Sequence, residues 1–138
     1  MKLLVVHHAP TPNTVALRDA LIAGAGDDAI EGVSVQGLDP ADTGAGDLLA
    51  ADGVLLLTPA NFGYMSGLTK DLFDRTFLAV GGALGEDGCG SEASGGKKLF
   101  GLCVHGRYDT TGAVRSVQAI VSALPWRQAA PVLSVLGE

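Results

Sequence analysis

The segment from Gly53 to Thr58, GVLLLT, restricts the fold more than any other stretch of the sequence. Its run of apolar residues gives a strand no polar face that it can turn toward water. Strands of this kind belong to parallel sheets that carry helices on both faces. The segment therefore predicts the central strand of an α/β domain.

Four further strands are predicted around this one. Leu3 to Val6 form a short β-rich run, and residues 33–36 alternate apolar and polar side chains, as in a half-covered edge strand. KLFGLCVH, residues 98–105, has the composition of another buried strand, and PVLSVLGE, residues 131–138, of the last one. The Gly-rich residues 85–96 are predicted to form a long loop.

Helical patterns separate the predicted strands. Prolines delay the first helix to Asn13 or Thr14, residues 39–52 allow only a short helix, and Ser66 is placed to cap a third. The third helix carries opposite charges four residues apart, in the pairs Lys70 with Asp74 and Asp71 with Arg75. The predicted buried positions are Leu17, Ala20, Leu21 and Gly24 in the first helix, Leu68, Leu72, Phe73, Phe77 and Val80 in the third, and Val114, Val117, Ile120, Val121 and Leu124 in a fourth, within residues 110–124.

Alternating strands and helices over 138 residues predict one domain, residues 1–138, built on an open parallel sheet with right-handed crossovers. In such sheets a ligand binds beyond the carboxyl ends of the strands. Three loops are expected to meet there: residues 7–14, 59–66 and 105–112. The candidate site residues are therefore sought in these loops.

Charge and cysteine content exclude several kinds of partner. The net charge of −6 and a pI near 4.8 argue against nucleic acid and anionic membranes, because both bind clustered Lys and Arg. The N-terminus has too short an apolar run for a secretory signal, which favours a cytoplasmic location. Cys89 and Cys103 are expected to be free thiols, and the adjacent His7 and His8 point apart, so no metal site is expected.

Several ligand classes found on α/β sheets require residues that these loops lack. A receiver domain needs acidic residues where this chain has His7 and His8, and a phospho-accepting Asp where it has Pro59 and Asn61. No G-x-G-x-x-G follows the first strand, and the GCGSEASGGKK segment precedes a strand and has the wrong spacing for a phosphate loop. GYMSG is not the G-x-S-x-G of a nucleophile elbow.

The residues that these loops do contain suit a ligand with an anionic end and a flat aromatic end. Short polar side chains and helix-start amides around Thr11, Asn13 and Thr14 favour an anion, although a simple helix cap would look the same. Phe62 and Tyr64 flank Gly63 at the exit of the central strand, where a ligand ring or a partner subunit would cover them.

Residues 55–75 resemble the flavodoxin-like FMN proteins, most closely the NAD(P)H-dependent FMN reductases and the quinone reductases of the WrbA type. The matching residues are Pro59, Asn61, Phe62, Gly63, Met65, Ser66, Gly67, Lys70, Leu72, Phe73, Asp74 and Arg75. The resemblance implies a doubly wound sheet of five parallel strands in the order 2-1-3-4-5, here without the usual C-terminal helix.

The resemblance also implies FMN as cofactor and NAD(P)H as electron donor, with electrons passing to a quinone or similar small-molecule acceptor. A flavodoxin-type electron carrier and a flavin-free binding domain stay open as alternatives. The implied cofactor-binding residues are His8, Thr11, Pro12, Asn13, Thr14, Pro59, Ala60, Asn61, Phe62, Gly63, Tyr64, His105, Gly106, Arg107 and Tyr108, with His105 also catalytic.

The chain departs from the resembling proteins in two ways. It has Thr11-Pro12-Asn13-Thr14 where their usual sequence is T-G-N-T, and Pro12 removes one N–H group that a phosphate would use. Without a C-terminal helix, one face of the last strand lacks its usual cover. A homo-oligomer, dimer or tetramer, is therefore expected.

Overall fold

The strand that contains GVLLLT lies in the middle of the sheet, as predicted. In the computed structural model, which describes residues 1–81 and 98–137, this strand is β3 (Gly53–Asn61). It pairs in parallel with β1 (Lys2–His7) on one side and with β5 (Lys98–Gly106) on the other. Burial on both faces follows from the lack of a polar face in its sequence.

The two edges of the sheet differ. β2 (Ser34–Leu38) forms one edge and pairs with β1. The other edge consists of two short strands, β6 (Trp126–Gln128) and β7 (Leu133–Leu136), which pair in turn with the first and last thirds of β5. The order β2-β1-β3-β5-β6 confirms the predicted 2-1-3-4-5 arrangement, with the fifth position divided between two segments.

β6 was not predicted, because the sequence analysis placed the last strand only at residues 131–138. Trp126 explains why the chain joins the sheet earlier. Its ring is buried, with its centroid 5.8 Å from that of Phe100 and 6.4 Å from that of Phe73. Burial of one large aromatic side chain is enough to hold three residues at the edge.

In residues 1–81 and 98–137, four α-helices and one 3₁₀ turn connect the strands. They are α1 (Pro12–Ala25), the 3₁₀ turn (Pro40–Asp42), α2 (Ala45–Ala50), α3 (Gly67–Gly81) and α4 (Thr111–Val121). The prediction that α1 starts at Asn13 or Thr14 is corrected by one residue, because proline is well tolerated as the first residue of a helix. The predicted short helix within residues 39–52 is confirmed as α2.

The main core lies on one face of the sheet, between the strands and α2, α3 and α4. Alternate residues of the strands, such as Val5, Leu57 and Cys103, point to the other face and are also almost fully buried. There α1 packs beside β1 and β2, so that Ile22 and the ring of His7 both lie against Gly37. The loops at the carboxyl ends of β1, β3 and β5 thus sit on a rigid base.

The predicted helix faces are only partly right. In α1, Ala20 and Gly24 are exposed, whereas Thr14 is fully buried, because small residues all around the helix leave its orientation to be fixed by the turn that begins it. In α4, Val117 and Val121 are buried as predicted, while Ile120 is half-buried.

In α3, Leu72, Phe73 and Val80 are buried as predicted, but Leu68 and Phe77 are exposed. Thr69 and Thr76 take the inner positions instead. The Thr76 hydroxyl donates to the Leu72 carbonyl at 2.7 Å, which offsets the cost of burying it.

The two predicted charge pairs on α3 are present. Lys70 Nζ lies 2.5 Å from Asp74 Oδ1, and Arg75 Nε lies 2.6 Å from Asp71 Oδ2. Arg75 also donates to the Pro40 carbonyl at 2.9 Å, which joins α3 to the 3₁₀ turn. The predicted loop at residues 85–96, with Cys89, lies outside the described residues. Within residues 1–81 and 98–137, no helix is both long and apolar enough to cross a bilayer.

Candidate functional site

A crevice of about 430 Å³ opens at the carboxyl ends of β1, β3 and β5, where the three predicted loops meet. Its volume lies in the range of small-molecule sites, roughly 300–1,000 Å³. It is lined by Pro10, Thr11, Thr14, Pro59, Ala60, Asn61, His105, Gly106, Arg107 and Gly137. Eight of these residues were predicted site residues; Pro10 and Gly137 were not on that list.

Two threonines in the first loop, Thr11 and Thr14, cap the N-terminus of α1 by bonding to each other. The Thr11 N–H donates to Thr14 Oγ1 at 3.0 Å, and the Thr14 N–H donates to Thr11 Oγ1 at 3.3 Å. The Thr14 hydroxyl also donates to the Thr11 carbonyl at 3.0 Å. Because Pro12 fits the first position of the helix and needs no N–H there, this capping box is well formed.

His8 is not among the residues that line the crevice, and its ring contacts a group of buried hydroxyls. Its Nδ1 lies 2.7 Å from Ser66 Oγ, which in turn lies 2.8 Å from Thr69 Oγ1. Ser66 Oγ also accepts from the Thr69 N–H at 3.4 Å, so the predicted cap of α3 is in place. Thr58 completes the group by accepting from the Ser66 N–H. His8 thus ties the first loop to the start of α3.

Within the predicted loop at residues 59–66 the chain forms a β-hairpin, which was not predicted. β3 continues through Pro59 to Asn61, and β4 (Tyr64–Met65) returns antiparallel to it. Phe62 and Gly63 form the turn with φ of 52° and 73°. Two residues with positive φ suit the right-handed twist of a hairpin. The sequence hid the hairpin because proline usually ends a strand.

The hairpin turn holds its two aromatic residues in solvent. Phe62 is fully exposed, and Tyr64 is 42% exposed. Neither residue lines the crevice, but both adjoin Asn61, which does: Phe62 follows it in the chain and Tyr64 pairs with it, so they stand at the margin of the crevice. An exposed Phe with positive φ combines an unfavourable backbone with an unburied apolar ring, which indicates a role other than stability.

The hairpin rests on the first turn of α4. A Cβ at Gly112 would lie 2.0 Å from the Gly63 carbonyl oxygen, so only glycine fits there. The Met65 N–H donates to Ser116 Oγ at 3.2 Å. Sequence analysis missed both contacts; the glycine near the start of a predicted helix was the signal that the sequence offered. The second and third loops therefore form one supported unit.

The predicted third loop starts within β5: His105 and Gly106 are the last two residues of the strand, and Arg107 and Tyr108 follow it. Gly106 is buried, and a Cβ there would lie 2.9 Å from Thr110 and 3.3 Å from Ala60. The guanidinium carbon of Arg107 lies 5.2 Å from the ring centroid of Tyr108, which is largely exposed. Hydrogen bonds from the Thr111 hydroxyl and N–H lower the pKa of Asp109, which caps the turn into α4.

His105 is half-buried and lines two cavities. Besides the crevice, it borders a second depression of about 340 Å³ between α1 and β7. Asn13 also lines this depression. His105 therefore faces the start of α1, and the structure brings it close to the first loop as well as the third.

His7 and Cys103 are among the described groups outside the crevice whose pKa values are shifted. Burial, followed by the charge of Arg18, lowers the pKa of His7. Burial raises the pKa of Cys103 to about 11, so this thiol is protonated and inert at neutral pH. Within residues 1–81 and 98–137, no three His, Cys, Asp or Glu residues are grouped as metal ligands.

No protein-family model matches the sequence, and no curated protein matches it either. Solved structures do match it. An archaeal flavodoxin has a TM-score of 0.75 at 16% identity, over 100% of this chain and 85% of its own. An NADPH-quinone reductase from P. pentosaceus has a TM-score of 0.59 at 17% identity, over 98% and 84%.

An NADH:FMN oxidoreductase in its apo form has a TM-score of 0.66 at 13% identity, over 98% of this chain and 75% of its own. These likenesses show that the chain has a flavodoxin-like fold, as the sequence resemblance implied. At such low identity they show the fold alone.

Proposed function

We propose that the crevice binds FMN and that the protein is an NAD(P)H-dependent oxidoreductase that passes electrons to a quinone or a similar small acceptor. The observation that carries the proposal is the exposed pair of rings, Phe62 and Tyr64, at the margin of the crevice. A flat ligand would cover them, and aromatic contacts of this kind contribute about 0.5–1.5 kcal/mol per pair beyond area burial.

The residues present fit the ring end of a flavin. Gly106 brings backbone to the crevice without a side chain in the way, and Asn61 adds an exposed amide. Aromatic faces, backbone polar groups and an amide suit a flat heterocycle with polar edges. His8 supports the loop from inside, whereas Thr11, Asn61 and Arg107 line the crevice.

The flavin, when bound, supplies the hydride and electron chemistry, and the protein supplies position and charge. His105 is proposed to donate a hydrogen bond from its ring to the ligand or to the acceptor. Arg107 is proposed to lend positive charge at the same end of the crevice. The hairpin is proposed to exclude water from one side of the ligand, because its contacts with Gly112 and Ser116 hold it in place.

A flavodoxin-type electron carrier is the second candidate. Among the similarities given above, the TM-score with the archaeal flavodoxin is the highest. The net charge of −6 also suits steering toward basic partner proteins. The two candidates share the flavin site and differ in whether NAD(P)H is oxidised directly.

Titration of the purified protein with FMN, followed by flavin fluorescence, tests the site. Steady-state oxidation of NADH and NADPH with a quinone then separates the two candidates, because a carrier alone does not turn over. No flavin binding at millimolar concentration would contradict both.

Replacing Phe62 tests the role of the exposed rings. We expect Phe62→Ala to weaken FMN binding roughly tenfold, since a stacked ring pair and its buried area contribute about 1–2 kcal/mol. Leu49→Ala is the matched control, because Leu49 is an exposed apolar residue on α2, away from the crevice. Equal FMN affinity in Phe62→Ala and the wild type would contradict the proposal.

A further inference from the structure

The first loop leaves few backbone donors for a phosphate. The N–H groups of Thr11 and Thr14 donate to each other's hydroxyl oxygens, and the Thr14 hydroxyl donates to the Thr11 carbonyl. The His8 N–H donates to the Leu57 carbonyl at 3.0 Å. Thr14 borders the crevice but is fully buried, and its hydroxyl already accepts from the Thr11 N–H and donates to the Thr11 carbonyl.

Proline removes two more donors from the same loop. Pro10 and Pro12 have no N–H, and Pro12 occupies the first position of α1, where any other residue would present one. In the part of the loop that the structure describes, the N–H groups of Ala9 and Asn13 are the two without a hydrogen-bond partner. A full turn of helix-start amides is what normally makes such a terminus attractive to an anion.

Charge near the crevice gives a phosphate little further help. Among the described residues that line it, Arg107 is the only Lys or Arg, and its guanidinium lies over the Tyr108 ring. The chain as a whole carries a net charge of −6, which repels a dianion at low ionic strength. The exposed aromatic rings, in contrast, act equally on any ligand with the same ring system.

We infer that the ring, and not the phosphate, determines which flavin this site accepts, so that riboflavin binds nearly as tightly as FMN. This inference rests on the proposed flavin site. One charge-assisted hydrogen bond corresponds to about a ten- to hundredfold change in affinity, and a phosphate held by several would favour FMN by a thousandfold or more. Here we expect FMN to be favoured by less than about thirtyfold.

The test compares the dissociation constants of FMN and riboflavin for the whole protein, measured by quenching of flavin fluorescence. A ratio below about thirtyfold supports the inference, and a larger preference for FMN overturns it while leaving the flavin site intact. If neither flavin binds, the proposed function fails and the inference fails with it.

Pro12→Ala restores the missing N–H at the first position of α1. We expect this variant to bind FMN about tenfold more tightly than the wild type and riboflavin with unchanged affinity. Pro131→Ala is the matched control, because Pro131 is exposed between β6 and β7, outside the crevice. An unchanged preference in Pro12→Ala contradicts the inference, and thermal unfolding of both variants checks that they fold.

The salt dependence of FMN affinity distinguishes phosphate binding by the charge of Arg107 from selection of the flavin by its ring. If the ring decides, raising the salt concentration leaves FMN affinity unchanged or strengthens it slightly, because salt screens the repulsion from the acidic chain. A marked loss of FMN affinity with salt, absent for riboflavin, overturns the inference.

Discussion

His7 ends β1 and packs beneath α1, where Gly37 leaves room for its ring. Burial and Arg18 lower its pKa below the ordinary value of 6.5, whereas Asp39 and Asp19 act in the opposite direction. A lowered pKa means that the fold prefers the neutral ring. The unfolded chain therefore binds a proton more readily than the folded one as the pH falls.

The stability that this preference supplies is fully present above pH 6.5 and is lost as the pH falls through the lowered pKa of His7. We expect the free energy of unfolding of the wild type to decrease between neutral and mildly acid pH. His7→Gln should remove part of this slope in urea denaturation at several pH values. The pKa of Asp109 is lowered from 3.8, so any stability change from its titration occurs at more acid pH than that of His7. Identical slopes in variant and wild type would contradict the assignment.

The burial of individual threonines was the feature hardest to predict from the sequence. Thr14, Thr58 and Thr69 are fully buried, although threonine is usually exposed. Each hydroxyl finds a partner: Thr14 bonds to Thr11 in the cap of its own helix, whereas Thr58 on β3 bonds to Ser66 and Thr69 at the start of α3. Patterns of apolar residues cannot reveal such sites, since the contacts exist only after the chain has folded.

The elements themselves were easier to predict than their faces. β1, β3, β5 and α4 follow from their apolar patterns, and the strand order follows from the alternation of strands and helices. β4 and β6 were missed because each has at most three residues and depends on tertiary contacts, with Gly112 and Ser116 for β4 and with Phe100 for β6. Of the site, the loops and most crevice residues were predicted; the hairpin was not.

The contact between the hairpin and α4 provides a test at this scale. We expect Gly112→Ala to lower the free energy of unfolding by roughly 1–3 kcal/mol, because its Cβ would meet the Gly63 carbonyl oxygen. Gly24→Ala in α1, where a Cβ meets nothing within 4 Å, should raise it by about 0.5–1 kcal/mol. Equilibrium urea denaturation measures both. A stabilising Gly112→Ala would show that the hairpin does not rest on α4.

The two faces of the sheet are covered unequally. In the described residues, α2, α3 and α4 pack on one face, whereas α1 alone packs on the other. On that second face Leu3, Leu55 and Leu99 stay half-buried, and Leu133 on β7 is 49% exposed. We propose that a second copy of the chain covers this surface in a dimer or tetramer.

Light scattering coupled to size exclusion tests the proposed assembly. We expect the wild type to elute as an oligomer at micromolar concentration. Leu133→Lys should be a monomer, because burying an unpaired charge in the interface has a high free-energy cost. Leu49→Lys, an equally exposed leucine on α2, should leave the mass unchanged. A monomeric wild type would count against the proposal.

The pairing of strands that are distant in sequence has a consequence for how the chain folds during synthesis. Lys2 pairs with Ser34, and Leu3 pairs with Gly53, which in turn pairs with Leu99. A nascent chain that has emerged only as far as β3 therefore lacks the partner for one side of its most hydrophobic strand. Such non-local pairing slows folding and leaves hydrophobic segments exposed, so that they can aggregate with other chains. Chaperone dependence should be greatest until β5 leaves the ribosome.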